Sequence, residues 1–381
     1  MFKIIHIIPN LKKGGAERLV LDICNESNNL QNIKVKLVTF SEENEYPFLT
    51  NNIDWEIIPS KFIPSVTKKA TIELTLLREK IDAFQPDIIH THLYEAEMVL
   101  SQINIGKAKR FSHFHDNMIQ LDNSLLFNVS LKNRITNFYE RNFLIKTINP
   151  TTNNFICISN DSYSYAKKVL PKKNRININL LLNAIDVSRF TNNIIRGGVK
   201  QKIRLVNIGS FVKKKNQIFL VDVANELFNK KINFEIIFLG DGVLMQDVKA
   251  YAESLSLEDK IIFKGKVAKV EEYLDNSDFY LHSATYEPLG LVLLEAMAAG
   301  LPVITLDGKG NRDLMEQGKN GYMIDDLDPI KFAQKIIYLS ENQEKYTEIS
   351  NYCKECAKQY DIKEYVNKLL VLYKDSMSST N

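Results

Sequence analysis

The chain has 381 residues, of which 45% are hydrophobic and 25% charged, with 49 Lys and Arg against 46 Asp and Glu. This length exceeds one ordinary hydrophobic core and predicts two domains of about 190 residues each. A net charge of +3 is too small to indicate a nucleic-acid-binding protein. No apolar run approaches the ~18 residues that cross a bilayer, and the first residues have the pattern of a strand rather than a signal peptide, so we expect a cytoplasmic protein.

Charge and composition also suggest where the domains divide. Residues 1–193 hold 24 Lys and Arg against 19 Asp and Glu, whereas residues 194–381 hold 25 against 27. A mildly basic first half is compatible with lying on an anionic membrane surface. The polar, glycine-bearing stretch 191–201 is the natural hinge. We therefore predict domains at 1–190 and 202–360, followed by a terminal segment at 361–381.

The first half opens with a strand pattern over 2–8 and a turn that contains Gly14 and Gly15. In a doubly wound sheet the first strand-to-helix turn faces the crevice where ligands bind. Glycines at that turn let backbone amides approach a phosphate or a sugar. The sequence has no G-x-G-x-x-G fingerprint, which counts against a dinucleotide site. Further along, apolar spacing predicts a helix over 65–84.

Histidines stand where two later strands end. The strand patterns over 86–92 and 108–116 end in His92 and in the run His113, His115 and Asp116. Strand ends of this kind point into the crevice, which makes these side chains candidates for a functional site. An H-x-H pair can bind zinc, but no carboxylate or cysteine is spaced to complete such a site. We therefore expect no metal.

A helix pattern over 128–145 allows two interpretations. Apolar residues recur at helical spacing with basic residues elsewhere, which would suit a helix lying on a membrane surface. A packed domain helix with one solvated face fits the same spacing, and we favour it.

The second half begins with a strand over 203–209 and a lysine-rich turn before the next helix. Lys213, Lys214 and Lys215 place positive charge at a strand-to-helix turn, on the expected floor of the crevice. Two further strands end near Gly240 and Gly265. The positive charge of the lysine turn suits an anionic ligand.

The most informative stretch is 283–305, SATYEPLGLVLLEAMAAGLPVIT. It predicts a helix with Pro288 at the first position and Gly300 just past the end. Glu287 precedes that helix and Glu295 lies about two turns inside it. The amides of Leu289, Gly290 and Leu291 would form an anion site at the helix start, and Gly290 would let a ligand approach the backbone closely. An acid on each side of a phosphate site suits a sugar–diphosphate–nucleoside.

The E-x7-E pattern within EPLGLVLLEAMAAGLPVI resembles the signature of the retaining glycosyltransferases of family 4. The resemblance implies an α/β protein of the GT-B fold, with two Rossmann-like doubly wound domains facing each other across a crevice. It implies that the first domain binds the acceptor, that the second binds the nucleotide-sugar, and that the terminal helix crosses back to the first domain.

The resemblance also implies roles for individual residues. The family has a histidine before Asp or Asn close to the transferred sugar, which His115 and Asp116 match. His113, two residues earlier, would share the face of His115, and His92 is an acceptor-side candidate because it ends a strand. It has a G-G-x-E, matched by Gly14, Gly15 and Glu17, near the donor phosphate and acceptor. It has an Arg and a Lys that neutralise the leaving diphosphate; Lys215 matches the Lys, and Ser210 replaces the Arg. The remaining matches are Gly209 and Gly240 at donor-side strand ends, Gly265 where the nucleobase rests, Asn183 in the turn that closes the first domain, and Glu287 and Glu295 on the sugar and ribose hydroxyls.

We therefore expect a retaining transfer from a nucleotide-sugar, with UDP favoured, to a hydroxyl of a lipid-linked cell-surface glycan. The catalytic residues would be His115, Glu287 and Lys215. No D-x-D stands at a crevice position, so we expect no metal and no cofactor besides the donor substrate. Peripheral association with the inner face of a bacterial membrane is a further expectation. The alternatives are a nucleotide-sugar 2-epimerase on the same fold and a catalytically inactive binding protein.

Overall fold

The computed structural model of the protein describes residues 1–65, 69–122, 131–148, 151–191, 194, 196–198 and 202–378. The chain forms two compact units. The first consists of Met1–Asn183 together with Ile362–Asn381, and the second of Ala184–Asp361. The second unit thus begins before the predicted hinge at 191–201.

The first unit is built on a seven-stranded parallel sheet. In spatial order its strands are β3 (Trp55–Ile57), β2 (Ile33–Thr39), β1 (Phe2–Ile8), β6 (Ile88–His92), β7 (Lys109–Phe114), β8 (Asn153–Cys157) and β9 (Ile178–Leu180). The chain order reverses between β1 and β6, which is where ligands bind in doubly wound sheets. A separate antiparallel pair joins β4 (Lys61–Ile63) to β5 (Thr71–Glu73).

Helices cover this sheet. They are α1 (Gly15–Asn28), α2 (Pro47–Thr50), α3 (Thr75–Phe84), α4 (Leu93–Leu100), α5 (Leu131–Thr147), α6 (Asn160–Val169) and the last helix, α14 (Ile362–Ser378). Helix α14 packs against α1 and β7 and buries Val366, Leu369 and Tyr373. Burial of such apolar side chains stabilises the unit by roughly 1.5–3 kcal/mol each.

The second unit has a six-stranded parallel sheet. In spatial order its strands are β12 (Ile261–Gly265), β11 (Phe234–Leu239), β10 (Ile203–Ile208), β13 (Phe279–His282), β14 (Val303–Leu306) and β15 (Gly321–Ile324). Its helices are α7 (Val187–Phe190), α8 (Gln217–Asn229), α9 (Met245–Ser254), α10 (Val270–Asp275), α11 (Leu291–Ala298), α12 (Pro329–Glu341) and α13 (Gln343–Lys358). The order reverses between β10 and β13. The two parallel α/β domains expected from the sequence are confirmed.

The predicted helix over 65–84 is wrong in its first part. Thr71–Glu73 form strand β5, and helix α3 begins only at Thr75. Residues 66–68 lie outside the described residues. Thr71 and Ile72 are β-branched and pair with Phe62 and Ile63 across the strands, which fits an extended backbone better than a helix.

Among the described residues, no helix is both long and apolar enough to cross a membrane.

Candidate active site

A cluster of three interacting side chains lies at the carboxyl ends of adjacent strands of the second sheet. Lys215 ends a short 3-10 turn (Lys213–Lys215) after β10, and His282 is the last residue of β13. The Lys215 ammonium forms an ion pair with Glu287, whose Oε2 also lies 3.3 Å from Nε2 of His282. The structure thus brings together two of the residues predicted to be catalytic and adds a histidine to them.

The charges of this cluster hold Glu287 ionised. Burial alone would raise its pKa, but the ammonium of Lys215 and the contact with His282 outweigh burial and lower the pKa to about 2. Burial lowers the pKa of His282 despite its acidic neighbour, so this imidazole is neutral near pH 7. The cluster therefore presents one carboxylate and one ammonium to a ligand.

Backbone pairing with a glycine-rich loop fixes the position of Glu287. Its N–H donates to the carbonyl of Gly308 over 2.8 Å, and its own carbonyl accepts from the N–H of Gly310 over 3.1 Å. A Cβ atom on Gly310 would lie 1.8 Å from the carbonyl oxygen of Pro288, so only glycine allows this approach. The loop is thus a close-fitting support for the carboxylate.

The lysine turn is tied to the loop that follows β13. The hydroxyl of Ser283 donates to the carbonyl of Lys215 over 2.8 Å, and the N–H of Thr285 donates to the carbonyl of Lys214 over 2.9 Å. On the other side, the buried Gln217 amide donates to the carbonyl of Ser210 over 3.1 Å. These bonds hold the backbone of the turn from which the Lys215 side chain reaches Glu287.

The predicted start of the helix at Pro288 is wrong. Helix α11 begins at Leu291, with Gly290 as the residue that precedes it. The pairing of Glu287 with the 308–310 loop keeps this segment extended. Leu291 therefore supplies the first helical amide, whereas the amides of Leu289 and Gly290 lie before the helix.

The later helix start changes the position of Glu295 within the helix, and Gly290 lies close to protein side chains. Glu295 is the fifth helical residue, a little over one turn in rather than two. A Cβ atom on Gly290 would lie 2.4 Å from Leu293 Cδ1 and 3.1 Å from Glu287 Cγ. A side chain at position 290 would therefore meet Leu293 and Glu287, and the approach of a ligand to this backbone stays a prediction.

Three of the predicted glycines form a row along the same edge of the second sheet. The N–H of Gly209 donates to the carbonyl of Leu239 over 2.9 Å, and the N–H of Gly240 donates to that of Gly265 over 2.8 Å. Gly240 has φ +136°, and a Cβ atom there would lie 2.1 Å from the carbonyl oxygen of Gly209. The backbones of these strand ends thus lie close together, and the side chain of Lys215 lies over Gly209, with its Cδ 3.7 Å from the position of a Cβ atom there.

Five histidines cluster in the central strands of the first sheet and directly after them, toward the carboxyl ends of these strands. Strand register places His6 of β1 beside His90 of β6, and His92 of β6 beside His113 of β7. His115 follows β7 and stacks on His113 with the ring centres 4.0 Å apart. Four of these side chains are fully buried, and His115 is 9% exposed.

Burial keeps the histidine cluster neutral. It lowers the pKa of His6 and of His115 to about 3, and it lowers the pKa values of His90, His92 and His113 well below the usual range. Repulsion between neighbouring imidazoles adds to the effect for the last three. The cluster is therefore uncharged at physiological pH.

The cluster meets one requirement of a metal site and lacks another. His6, His90 and His92 form one group whose ring nitrogens lie within 4.8 Å of one another, and His92, His113 and His115 form a second. The prediction that no carboxylate or cysteine is spaced to complete an H-x-H site did not consider the imidazoles of the neighbouring strands. Within the described part of the chain, however, no carboxylate or thiolate joins either group. Helix α4 also begins directly after His92 and directs its positive end to this edge, so little balances a buried dication here.

The other predicted site residues of the first unit are Gly14 and Gly15, predicted on the nucleotide-sugar side, and Glu17, Asp116 and Asn183, predicted on the acceptor side. Gly14 precedes helix α1, its N–H donates to the Tyr46 hydroxyl over 3.0 Å, and the Glu17 carboxylate lies over it. Gly15 is the first residue of that helix. Asp116 accepts from the N–H of Asn117 over 2.7 Å. Asn183, the last residue of the unit before the chain leaves it, is buried.

Sequence reasoning missed His6, His90 and His282. His282 has the signal used for His92, a histidine that ends a strand, and could have been found with it. His6 lies inside an apolar strand at a position indistinguishable from core, and only its pairing with β6 shows its neighbours.

Comparison with known families shows which protein family has this sequence. Residues 13–189 match the family described as Glycosyltransferase Family 4, and residues 190–356 match Glycosyl transferases group 1. The chain belongs to glycosyltransferase family 4. The division between the two matches falls at 189/190, within a few residues of the start of the second unit.

Relatives agree with this family, and solved structures agree with the fold. The chain is 25% identical over 238 residues to an Escherichia coli UDP-Gal:alpha-D-GlcNAc-diphosphoundecaprenol alpha-1,3-galactosyltransferase, a match that spans 59% of this chain and 60% of that enzyme. It is 24% identical to EpsF, a Bacillus subtilis protein named as a glycosyltransferase, over 80% of this chain and 79% of EpsF. The structure of Anabaena HepE in complex with UDP and glucose superposes with a TM-score of 0.80 at 19% identity, covering 98% of this chain and all of HepE. Staphylococcus aureus TarM gives 0.75 at 16% identity over 98% and 99% of the two chains. The fold is therefore GT-B.

Proposed function

We propose that this protein transfers a sugar from a UDP-sugar to a hydroxyl of a lipid-linked cell-surface glycan, with retention of the anomeric configuration. The observation that carries the proposal is the contact between Lys215 and Glu287 beside the start of helix α11. The ammonium of Lys215 suits the diphosphate of a donor, and the carboxylate of Glu287 suits the hydroxyls of its sugar. Both lie at the same edge of the sheet in a family 4 domain.

The donor-side chemistry follows from these groups. The Lys215 ammonium and the helix-start amide of Leu291 stabilise negative charge as it builds on the leaving diphosphate. Glu287, held ionised, accepts hydrogen bonds from the sugar hydroxyls, and Glu295, further along the helix, accepts from the ribose. The glycine row at Gly209, Gly240 and Gly265 provides backbone for the nucleoside.

The acceptor is deprotonated by the departing phosphate in a front-face displacement. His115 contacts the transferred sugar and stabilises its oxocarbenium-like state. No metal takes part in the transfer, since Lys215 and the helix start meet the charge of the diphosphate. Two relatives support the donor type: the E. coli enzyme is named for UDP-Gal, and HepE was solved with UDP and glucose.

The lipid-linked acceptor implies work at a membrane surface. Helix α5 offers a face for it, because the apolar side chains that the favoured packed-helix interpretation would have buried are exposed. Leu131, Ile135 and Phe138 recur at i, i+4 and i+7 and are 71%, 55% and 55% exposed. Three large apolar side chains on one exposed helix face suit insertion among lipid headgroups. The excess of Lys and Arg in the first half of the chain suits an anionic surface on the cytoplasmic side of the membrane.

The test is proton NMR of the protein with UDP-, GDP- and ADP-sugars in the presence of EDTA and a diphosphoundecaprenol-linked glycan. Appearance of UDP together with an α-linked product from an α-linked donor is the expected result. A β-linked product would overturn retention. An epimerised nucleotide-sugar would replace the proposal with the epimerase, and turnover that EDTA abolishes would overturn metal independence.

A further inference from the structure

Three of the five clustered histidines are linked in a chain by hydrogen bonds. Nδ1 of His6 lies 2.9 Å from Nε2 of His92, and Nδ1 of His92 lies 2.8 Å from Nε2 of His115. The chain therefore runs from the interior of β1 to the one histidine of the cluster with an exposed edge. Both nitrogens of the middle ring are engaged.

Counting protons leaves two arrangements for this chain. A neutral imidazole has one N–H and one lone pair, so His92 must donate to one neighbour and accept from the other. Either all the N–H groups point toward His115, or all point toward His6. The three tautomers are thus fixed together.

The buried end of the chain selects between the two arrangements. Nε2 of His6 is buried and has no hydrogen-bond partner among the described residues. If the protons pointed toward His6, this nitrogen would carry a buried N–H without an acceptor. If they point toward His115, it carries only an unused lone pair. Orphaned buried N–H groups are the rarer defect, so the protons point outward.

We propose that His6 and His92 are positioning residues that hold His115 as the neutral Nδ1–H tautomer, with this N–H directed at the donor sugar. This inference rests on the proposed role of His115 in sugar transfer. The neutral Nε2–H form is the usual tautomer of histidine in water, so the chain imposes the less common one. His115 then donates a hydrogen bond and is not the base that deprotonates the acceptor, a task left to the departing phosphate.

The other histidines provide a matched control. His113 stacks on His115 at 4.0 Å, closer than the 5.1 Å between the rings of His92 and His115. Both nitrogens of His113 are buried without a hydrogen-bond partner within the described ranges. Replacing either ring with phenylalanine keeps an aromatic beside His115, but only His92→Phe removes the hydrogen bond to it.

The experiment is nitrogen NMR of the full chain labelled with 15N-histidine, without substrate. The whole protein has six histidines, so single substitutions assign every signal. We expect Nδ1–H signals for His6, His92 and His115 in the unaltered protein. His92→Phe should return His115 to the Nε2–H form, and His113→Phe should leave the tautomer of His115 unchanged. His92→Asn should keep His115 in the Nδ1–H form, because the asparagine amide can donate from the same place as Nδ1 of His92.

The unaltered protein alone can overturn the proposal: an Nε2–H signal for His115 would do so even if no variant folds. A His92→Phe spectrum with unchanged His115 would do the same. Donor kcat/KM separates this failure from that of the proposed function. We expect His92→Phe to lower it about tenfold, the value of one hydrogen bond, and His92→Asn to recover it. A changed tautomer with unchanged kcat/KM would overturn the role of His115 in transfer, while the hydrogen-bonded chain itself would stand.

Discussion

At the residue scale, the ion pair between Lys215 and Glu287 predicts an asymmetry between its two partners. The side chain of Lys215 is 19% exposed and that of Glu287 is 10% exposed. Lys215→Met leaves a carboxylate buried without its cation, which should lower the free energy of unfolding by about 2 kcal/mol or more at pH 7. Glu287→Gln leaves a lysine that can reach water and should cost under about 1 kcal/mol. Urea denaturation measures both.

Both substitutions should nevertheless lower sugar transfer at least about a hundredfold, since Lys215→Met removes the cation that stabilises the leaving diphosphate and Glu287→Gln weakens the hydrogen bonds to the sugar hydroxyls. Lys202→Ala is the control, because Lys202 also pairs with a carboxylate, Glu235, but lies on the surface away from the strand-end cluster. A variant of Lys215 or Glu287 with full activity would contradict the site, and equal losses of stability would contradict the asymmetry.

The pairing of Lys215 with Glu287 could be expected from the sequence, because both residues follow strands that end at the same sheet edge. The histidine chain could not. His92, His113 and His115 stand at visible strand ends, but the hydrogen bond between His6 and His92 joins residues 86 positions apart. Such a contact depends on strand order and register, which local patterns do not encode.

At the scale of elements, the loop that holds Glu287 should tolerate no side chain at Gly310. In Gly310→Ala the new methyl would meet the carbonyl of Pro288, so the loop must move and the backbone bonds to Glu287 must lengthen. We expect transfer to fall at least about tenfold with a measurable loss of stability. Gly197→Ala, whose Cβ would come no closer than 3.8 Å to another group, is the control. Equal activity in the two variants would show that the loop does not position Glu287.

The exposed face of helix α5 predicts membrane binding. Replacing Leu131, Ile135 and Phe138 with serine should reduce partition onto anionic vesicles about a hundredfold or more, because each large side chain contributes about 1.5–3 kcal/mol when buried. Vesicle flotation measures the change. A matched triple serine variant of Phe48, Ile176 and Val243, also exposed apolar residues, should bind as the unaltered protein does. An equal loss of vesicle binding in the two triple variants would indicate nonspecific hydrophobic adsorption.

Helices and strands with strong periodicity were predictable, and their ends were less so. Helix α11 is an example: its composition is helical, but the preceding residues are held extended by a loop about twenty positions later in the sequence. The first part of the predicted 65–84 helix failed for the same reason, since β5 exists through its pairing with β4. In both cases a tertiary contact overrides local propensity.

At the scale of the whole molecule, the buried histidines predict acid sensitivity. Burial lowers the pKa of His6 and His115 to about 3, whereas an unfolded histidine titrates near 6.5. Between these values the unfolded chain binds protons that the native chain does not, so stability falls as the pH falls. From pH 7 to pH 5 each of the two should cost about 2 kcal/mol. Denaturant unfolding at both values measures this, and His6→Phe should reduce the decline by about 2 kcal/mol. Identical declines would contradict a buried, neutral His6.

The place of helix α14 in the first unit has a consequence for the order of events on the ribosome. The second unit is one continuous segment, Ala184–Asp361, and all of it is synthesised before α14. The first unit, although its strands are translated first, lacks Val366, Leu369 and Tyr373 until the last helix emerges. The domain that starts first therefore finishes last. During translation its unfinished surface against α1 and β7 is exposed while the second domain completes its core, which makes that surface a candidate for chaperone binding in the nascent protein.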